Sequence, residues 1–389
     1  MAVPRFKMKV AAVHAAPVYM NKEASTAKVV SIIKDAGEQG IKLLAFPETF
    51  IPGYPYFILA YPPLDQIPAL AQYAQQSVVC SPPDACIRAV QDACRAAGVT
   101  VSLGVSERMA GGHTLFNSQV IIEAATGNVL GVHRKLQPTL AERYVWAQGD
   151  GSTLKVWRVG VDNDDDDDYD DISVDGGIEG GRLGVRDGED GEQPQESKRR
   201  RTSGDDESGK KKFYNLGGLC CWENTLNGAR QALIEGGQHV HVGAWPALST
   251  VRGFDRGVAD AQIEALMKTH ALTAQAFVLS AANHVDRTCL EWMSRNLGEQ
   301  DVVGEGGGWS AVIHPFCSYL AGPYTGGEDG LVTAEIDFGD LGPVKVWIDG
   351  NGHYKRPEVL EMRVERKPLW TVPGGDSLSQ DRPPGKPEQ

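Results

Sequence analysis

Apolar positions along this chain repeat with two different periods, and segments of the two kinds alternate. Residues 8–15, MKVAAVHA, read as a strand. Residues 22–37 set Val29, Ile32, Ile33 and Ala36 at helical spacing, with Gly37 and Gly40 at the close. The buried-strand run IKLLAF follows and stops at Pro47. A second helix is predicted from SPPD to Gly98, with Ser81 as its cap and proline in its first turn. Next come the strand VTVSLGV and two more, SQVIIEA and NVLGVHR, which flank the turn Ala125-Thr126-Gly127 as a hairpin. Further along, FYNLGGLC reads as a strand, 228–236 as a helix, HVHVGAW as a strand, 258–275 as a longer helix and FVLSAANHV as a strand. WSAVIHP and GLVTAEID read as one more strand pair. Such alternation, mixed with hairpins, predicts α/β layers around a mixed sheet, without an internal repeat.

Residues 161–212 break that rhythm. They hold DNDDDDDYDD, KRRR and KKK and almost no large apolar side chains. With 18 acidic and nine basic residues they carry −9 of the chain's net −13, and the −4 left over points to no charged partner. A stretch like this buries too little to offset its ordering entropy, so a disordered surface loop is expected. Its insertion is cheap, since each doubling of loop length costs only about 0.6 kcal/mol. Within it, Ser197-Lys198-Arg199-Arg200-Arg201 has the pattern of a nuclear-import or nucleic-acid patch. A basic run flanked by acids reads first as a solvated loop, and no nucleic-acid partner is expected. The polar, proline-rich tail 374–389 is expected to fray.

Bulk composition narrows the class. A chain of 389 residues allows one large core or two modest ones. No run of 18 apolar residues occurs, so no membrane-spanning helix is expected. The N-terminal MAVPRFKMKVAAVHAAP has a basic flank and an apolar stretch, but His14 interrupts it, and a first strand is the better reading than a signal peptide. Seven cysteines, an odd number without CxxC spacing, suit reduced thiols in a cytosolic protein.

In open α/β sheets ligands gather outside the carboxyl ends of strands. Three reactive side chains stand immediately after predicted strands: Glu48 after LLAFP, Lys135 after NVLGVHR and Cys221 after LGGLC. Each has a plainer reading. Glu48 suits a helix first turn, Lys135 an exposed surface, and either Cys220 or Cys221 a small buried hydrophobe. Together they form a coherent set. A thiol of pKa about 8.5 needs a base or a cation beside it at neutral pH, and a carboxylate and an ammonium supply both. Strand alternation leaves the two cysteines open: if Leu219 and Cys221 share one face, Cys220 takes the other. His239 and His241 share a strand face, but no third ligand has metal-site spacing, so packed or hydrogen-bonded imidazoles are expected. A cysteine–histidine catalytic pair finds no histidine marked by a motif. Gly306-Gly307-Gly308 lacks the lysine and helix of a phosphate loop. Tyr54, Tyr56, Phe57 and Trp222 suit either a pocket lining or the core.

FPETFIPGYP, HRKLQPTLAERYVWAQGDGS and GGLCCWEN resemble, in this order, three signature blocks of the nitrilase branch of the carbon–nitrogen hydrolase superfamily. HVHVGAWPALS, AANHV, GGGWSAVIHPFCSYLAGP and GHYKRPEVL resemble its later segments, so the resemblance covers 8–365 apart from the charged insert. It implies a single catalytic domain with a four-layer αββα sandwich. It further implies that Cys221 is the nucleophile with Cys220 as a packed neighbour, that Glu48 is the general base, and that Lys135 stabilises the anionic intermediate with the Trp222 N–H as a second donor. Glu142, in PTLAER, matches a further carboxylate near the lysine and the active-site water, and Tyr54 and Trp222 are the expected substrate contacts. The implied reaction is hydrolysis of a nitrile to acid and ammonia through a thioimidate and a thioester, without metal or organic cofactor. A cytoplasmic homodimer or larger homo-oligomer is the implied state. CWEN leans towards nitrile-cleaving members; an amidase or a nitrile or cyanide hydratase is the alternative within the superfamily. An inactive scaffold whose charged insert is a regulatory segment is the alternative from another class. Leu140 stands where relatives often have the histidine of PTHVER.

Overall fold

The computed structural model describes residues 4–161 and 212–370. The charged stretch, apart from its end residues Val161 and Lys212, and the tail 374–389 lie outside the described residues, as does the basic run at 197–201.

Two six-stranded mixed sheets lie face to face. The first contains β1 (Lys7–His14), β2 (Leu43–Ala45), β3 (Thr100–Arg108), β4 (Leu115–Ile122), β5 (Val129–Arg134) and β12 (Gly330–Asp337), in the order β12-β1-β2-β3-β4-β5. The second contains β6 (Trp157–Val161), β7 (Lys212–Cys220), β8 (Val240–Trp245), β9 (Phe277–Ala282), β10 (Ser310–Ile313) and β11 (Tyr319–Tyr324), in the order β11-β10-β9-β8-β7-β6. β1, β2 and β3 run parallel, as do β7, β8 and β9, and the outer pairings are antiparallel.

Alternation along β1 shows how the layers form. Val10 and Ala12 point between the sheets, against Val240, Val242 and Leu279. Ala11 and Val13 point the other way, into a cluster with Val29 and Ile33 of α1 (Lys22–Glu38) and Ile87 and Val90 of α4 (Ala85–Ala97). The outer face of the second sheet, with Val278 and Ala282, packs on Ile263, Met267 and Ala271 of α6 (Arg256–Ala274). Strands buried on both faces read as nearly unbroken apolar runs, which is what the sequence shows. Each fully buried Val, Leu or Ile contributes about 1.5–3 kcal/mol. The result is helix, sheet, sheet, helix, with α5 (Asn227–Glu235) also against the second sheet through Leu219 and Leu233.

Several local expectations are corrected. The helix predicted from Ser81 starts later: Asp84 is its cap, accepting from Ile87 N–H at 3.0 Å, and both prolines precede it. WSAVIHP and GLVTAEID are not partners. β10 pairs with β9 and β11, whereas β12 pairs with β1 in the other sheet. The strand between them, β11, carries Gly322-Pro323 and lies at an edge, where proline is tolerated and the apolar pattern fades. Unforeseen are α2 (Phe57–Ala60), α3 (Ile67–Gln76) and α7 (Arg287–Leu297), which meet in a satellite cluster around Phe57, Tyr73 and Met293. Among the described residues no helix is long and apolar enough to cross a membrane.

Candidate active site

Three strand ends deliver the candidate side chains to one place. Beyond β2 the chain turns through Pro47 and Glu48 directly over β3. A Cβ at Gly104 would stand 2.0 Å from the Pro47 carbonyl oxygen and 2.9 Å from Glu48 Cα, so only glycine lets this turn lie on the strand. Glu48 is fully buried there. On β4, Asn117 donates from Nδ2 to Glu48 Oε1 at 2.6 Å.

The His133-Arg134-Lys135 run ends β5, and each side chain goes a different way. Lys135 is fully buried, its N–H bonds the Asn117 carbonyl at 2.8 Å, and its Nζ donates to Glu48 Oε1 at 2.9 Å and Glu142 Oε2 at 2.7 Å. Arg134 grips Glu107 of β3 with two hydrogen bonds, Nε to Oε2 at 2.8 Å and Nη2 to Oε1 at 2.6 Å. His133 meets Glu223 at 2.9 Å through Nε2 and the Thr153 carbonyl at 3.2 Å through Nδ1. Both ring nitrogens face acceptors. Burial works against the charged ring, but the Glu223 carboxylate outweighs it and raises the His133 pKa.

Glu142 sits in a short 3-10 turn, Leu140–Tyr144, that Thr139 caps. Its Oε2 accepts from Thr139 N–H at 2.7 Å and from Lys135, and its Oε1 accepts from Tyr54 Oη at 3.0 Å. Leu140 begins that turn exposed and at φ 46°.

β7 ends at Cys220, and Cys221 opens a second 3-10 turn with φ 50°. Strand alternation does not reach this residue. Cys221 has left the strand, so the two-residue period no longer decides its direction. A non-glycine residue in the left-handed region is sparse and concentrates at functional sites. Two neighbours pin the turn. Glu223 accepts from Cys220 N–H at 2.9 Å and from Leu136 N–H at 2.7 Å, so one carboxylate ties the cysteine turn to the segment bearing Lys135. Asn224 donates from Nδ2 to the Cys221 carbonyl at 2.9 Å and the Leu219 carbonyl at 3.3 Å.

A carboxylate oxygen of Glu48, one of Glu142 and Cys221 Sγ lie within 4.8 Å of one another. All three residues are buried. Such donors would suit a divalent cation, but the Lys135 ammonium, bonded to both carboxylates, already fills that role. One ammonium serves two carboxylates, which leaves a surplus of negative charge. Burial pushes the Glu48 carboxyl up to about 7; Lys135 opposes this and Glu142 adds to it. Its second oxygen, Oε2, has no hydrogen-bond partner. Burial, with Glu48 beside it, also pushes the Cys221 thiol well up, while Lys135 and the Trp222 backbone N–H favour its anion. Burial opposes the Lys135 charge, but Glu142 and Glu48 together raise its pKa well above the usual range. The cluster therefore holds a protonated thiol, a carboxyl poised near neutrality and a fixed cation.

The other candidates fall around it. Trp222 is half-buried and lies edge-on to Trp245 and Phe254, at centroid distances of 6.3 and 6.1 Å. Tyr54 is committed to Glu142, Tyr56 bonds Asn283 Oδ1 at 2.6 Å, and Phe57 is core. His239 accepts from Asn215 N–H at 3.2 Å, and His241 bonds Gln238 and Asn224. Both follow the hydrogen-bonded reading. Asn117, Glu223, His133 and Asn224 are not singled out by the strand-end argument. Their signals in the sequence are polar residues inside or at the end of apolar strands, LFNSQVII and NVLGVHR, and the acid and amide that follow CW.

Residues 9–346 match the carbon-nitrogen hydrolase family. The chain is 30% identical over 361 residues to a nitrilase of Pseudomonas syringae pv. syringae, covering 93% of this chain and 90% of that one. It is 31% identical over 376 residues to an aliphatic nitrilase of Rhodococcus rhodochrous (95% and 86% covered) and 30% identical over 362 residues to a bromoxynil-specific nitrilase of Klebsiella pneumoniae subsp. ozaenae (92% and 85% covered). The crystal structure of Saccharomyces cerevisiae Nit3, of the nitrilase superfamily, superposes with a TM-score of 0.59 at 13% identity, covering 92% of this chain and 99% of that one, a likeness of fold.

Proposed function

This chain belongs to the carbon–nitrogen hydrolase family, and within it we propose a nitrilase that converts an organic nitrile and two waters to a carboxylic acid and ammonia. The observation that carries the reading is the meeting of Glu48, Glu142 and Cys221 within 4.8 Å around the Lys135 ammonium. Relatives at about this level of identity are nitrilases across nearly their whole length.

Glu48 takes the Cys221 proton as sulfur bonds the nitrile carbon and one C–N π bond breaks. The proton passes to nitrogen, giving a thioimidate. A water then adds to that carbon as the remaining C–N π bond breaks; Glu48 takes one water proton and passes it to nitrogen, giving a tetrahedral carbon that bears a hydroxyl and an amino group. Glu48 then moves the hydroxyl proton to nitrogen as the C–N single bond breaks and C=O forms, so ammonia leaves and a thioester remains. A second water, activated in the same way, releases the acid and restores the thiol. Negative charge that develops on nitrogen and oxygen is met by Lys135 and the Trp222 N–H. Glu142 orients the lysine, and Tyr54 and Trp222 flank the incoming substrate. A base with pKa near the working pH is the efficient choice, and about 7 for Glu48 fits.

Self-association belongs to the same reading. The edge strand β11 carries part-exposed Leu320 and Tyr324, with Phe316 beside it, an apolar strip on an open edge. Seven free cysteines, six of them buried, suit the reducing cytoplasm.

The test is ammonia release from a panel of nitriles and amides, together with intact mass of the trapped enzyme. Nitrile turnover with an adduct on Cys221 is expected. Turnover of amides alone would overturn the nitrilase assignment.

A further inference from the structure

A second row of buried polar side chains, unused by the chemistry above, ends on the backbone of the cysteine turn. Its members are Asn224, His241, Gln238 and His270, none more than 1% exposed. Their hydrogen bonds can be read in one direction only. Asn224 Nδ2 faces the Cys221 and Leu219 carbonyls, so it donates to both. Asn224 Oδ1 must then accept, and His241 Nε2, 2.9 Å away, carries the hydrogen. Burial, with His270 and Arg230 nearby, holds the His241 imidazole neutral, so its Nδ1 is bare and accepts from Gln238 Nε2 at 3.1 Å. Gln238 Oε1 is left to accept from His270 Nε2 at 2.9 Å. The rings of His241 and His270 pack at 3.8 Å between centroids, which fixes both.

The row thus runs from His270 through Gln238, His241 and Asn224 into the Cys221 carbonyl. That carbonyl shares a peptide unit with the Trp222 N–H. The unit is planar and trans, so its C=O and N–H point opposite ways, and fixing one aims the other. The Trp222 N–H lies against the Cys221 sulfur. Hydrogen bonds in series also polarise one another, which strengthens the donor at the far end.

We propose that His241, acting through Asn224, is a positioning residue that aims the Trp222 N–H at the charge developing during attack by Cys221. The inference deepens the hydrolase reading of Cys221 and rests on it. Two roles are in competition. If the row merely fills space, any residue of similar volume serves. If it aims the peptide unit, a hydrogen-bond donor at the Nε2 position is required.

The experiment compares His241→Phe, which keeps a ring but no donor, with His241→Gln, whose amide nitrogen reaches about as far as Nε2. Each is measured for kcat and KM on the best nitrile or amide, for the rate of Cys221 alkylation by iodoacetamide, and for melting temperature. Loss of one anion-stabilising donor costs 10²–10³-fold, so its misdirection should lower kcat by about 10–100-fold in His241→Phe, with KM within about threefold. His241→Gln should recover most of the loss, and the alkylation rates should follow the same order. Equal losses in both variants, a loss confined to KM, or parent-like turnover by His241→Phe would overturn the proposal. Should His241→Phe not fold, Gln238→Leu breaks the row one step further out and should give a smaller kcat loss; unchanged kcat there counts against the proposal. A parent enzyme that alkylates at Cys221 yet releases no ammonia defeats the hydrolase reading instead. The alkylation rates then decide the positioning claim alone: slowing in His241→Phe with recovery in His241→Gln supports it, and equal rates overturn it.

Discussion

Arg134 and Lys135 are consecutive, both buried, and both bonded to carboxylates, yet the two charge clusters they make are opposites. Arg134 meets one acid: Glu107 has Oε1 and Oε2 both filled, by the guanidinium and by Ser118 Oγ at 2.8 Å. The planar fork matches the carboxylate and leaves nothing over. Lys135 meets two acids, and Glu48 keeps an oxygen without a partner. A satisfied buried pair fixes β5 to β3 and can do little else. An under-satisfied one retains a proton site whose affinity lies near neutrality, with a thiol in reach. One residue along the chain thus separates a satisfied charge cluster from an under-satisfied one.

Substitutions can break this contrast or sharpen it. The largest effect is expected from Cys221→Ala, which should cut turnover by about 10⁶-fold and abolish the mass adduct, whereas Cys220→Ala keeps both. Next is Glu48→Gln, with a loss of about 10²–10⁴-fold in kcat. The same substitution tests the pH dependence. A base works deprotonated, so parental kcat/KM should climb as pH rises through about 7, and Glu48→Gln should lose that limb. A parental profile flat from pH 5 to 9 would remove Glu48 from the role. Arg134→Met should act on the other cluster: about 3–5 kcal/mol lost in denaturant unfolding, because Glu107 is left buried and alone, with the pH profile of the folded enzyme unchanged. If it shifts that profile instead, the two clusters are not separate. The smallest effect is expected from replacing residues 162–211 by Asn-Gly. Val161 and Lys212 already face each other in the β6–β7 ladder, so a two-residue hairpin should keep turnover within about twofold. A large loss would revive the reading in which the charged stretch is the working part.

Sequence alone made part of this legible. Glu48, Lys135 and Cys221 stand out because each follows a strand-like run, and the two periods expose most strands and three long helices. What stayed hidden depends on neighbours far apart in the chain. Asn117 reaches Glu48 only because β4 lies beside β3, and Glu223 reaches His133 only because two sheets are stacked. Alternation could not say where Cys221 faces, since Cys221 has already left the strand at φ 50°. WSAVIHP and GLVTAEID show the complementary failure: apolar pattern finds strands, but pairing belongs to the whole fold.

The ladder that joins β6 to β7 has one more consequence. Residues before it carry Glu48, Lys135 and Glu142; residues after it carry Cys221 and Glu223. A cut there would put the acids and the amine on one piece and the sulfur on the other, and the two pieces are interwoven: β12 of the second completes the first sheet beside β1, β6 of the first completes the second sheet beside β7, and Glu223 clasps His133 across the layers.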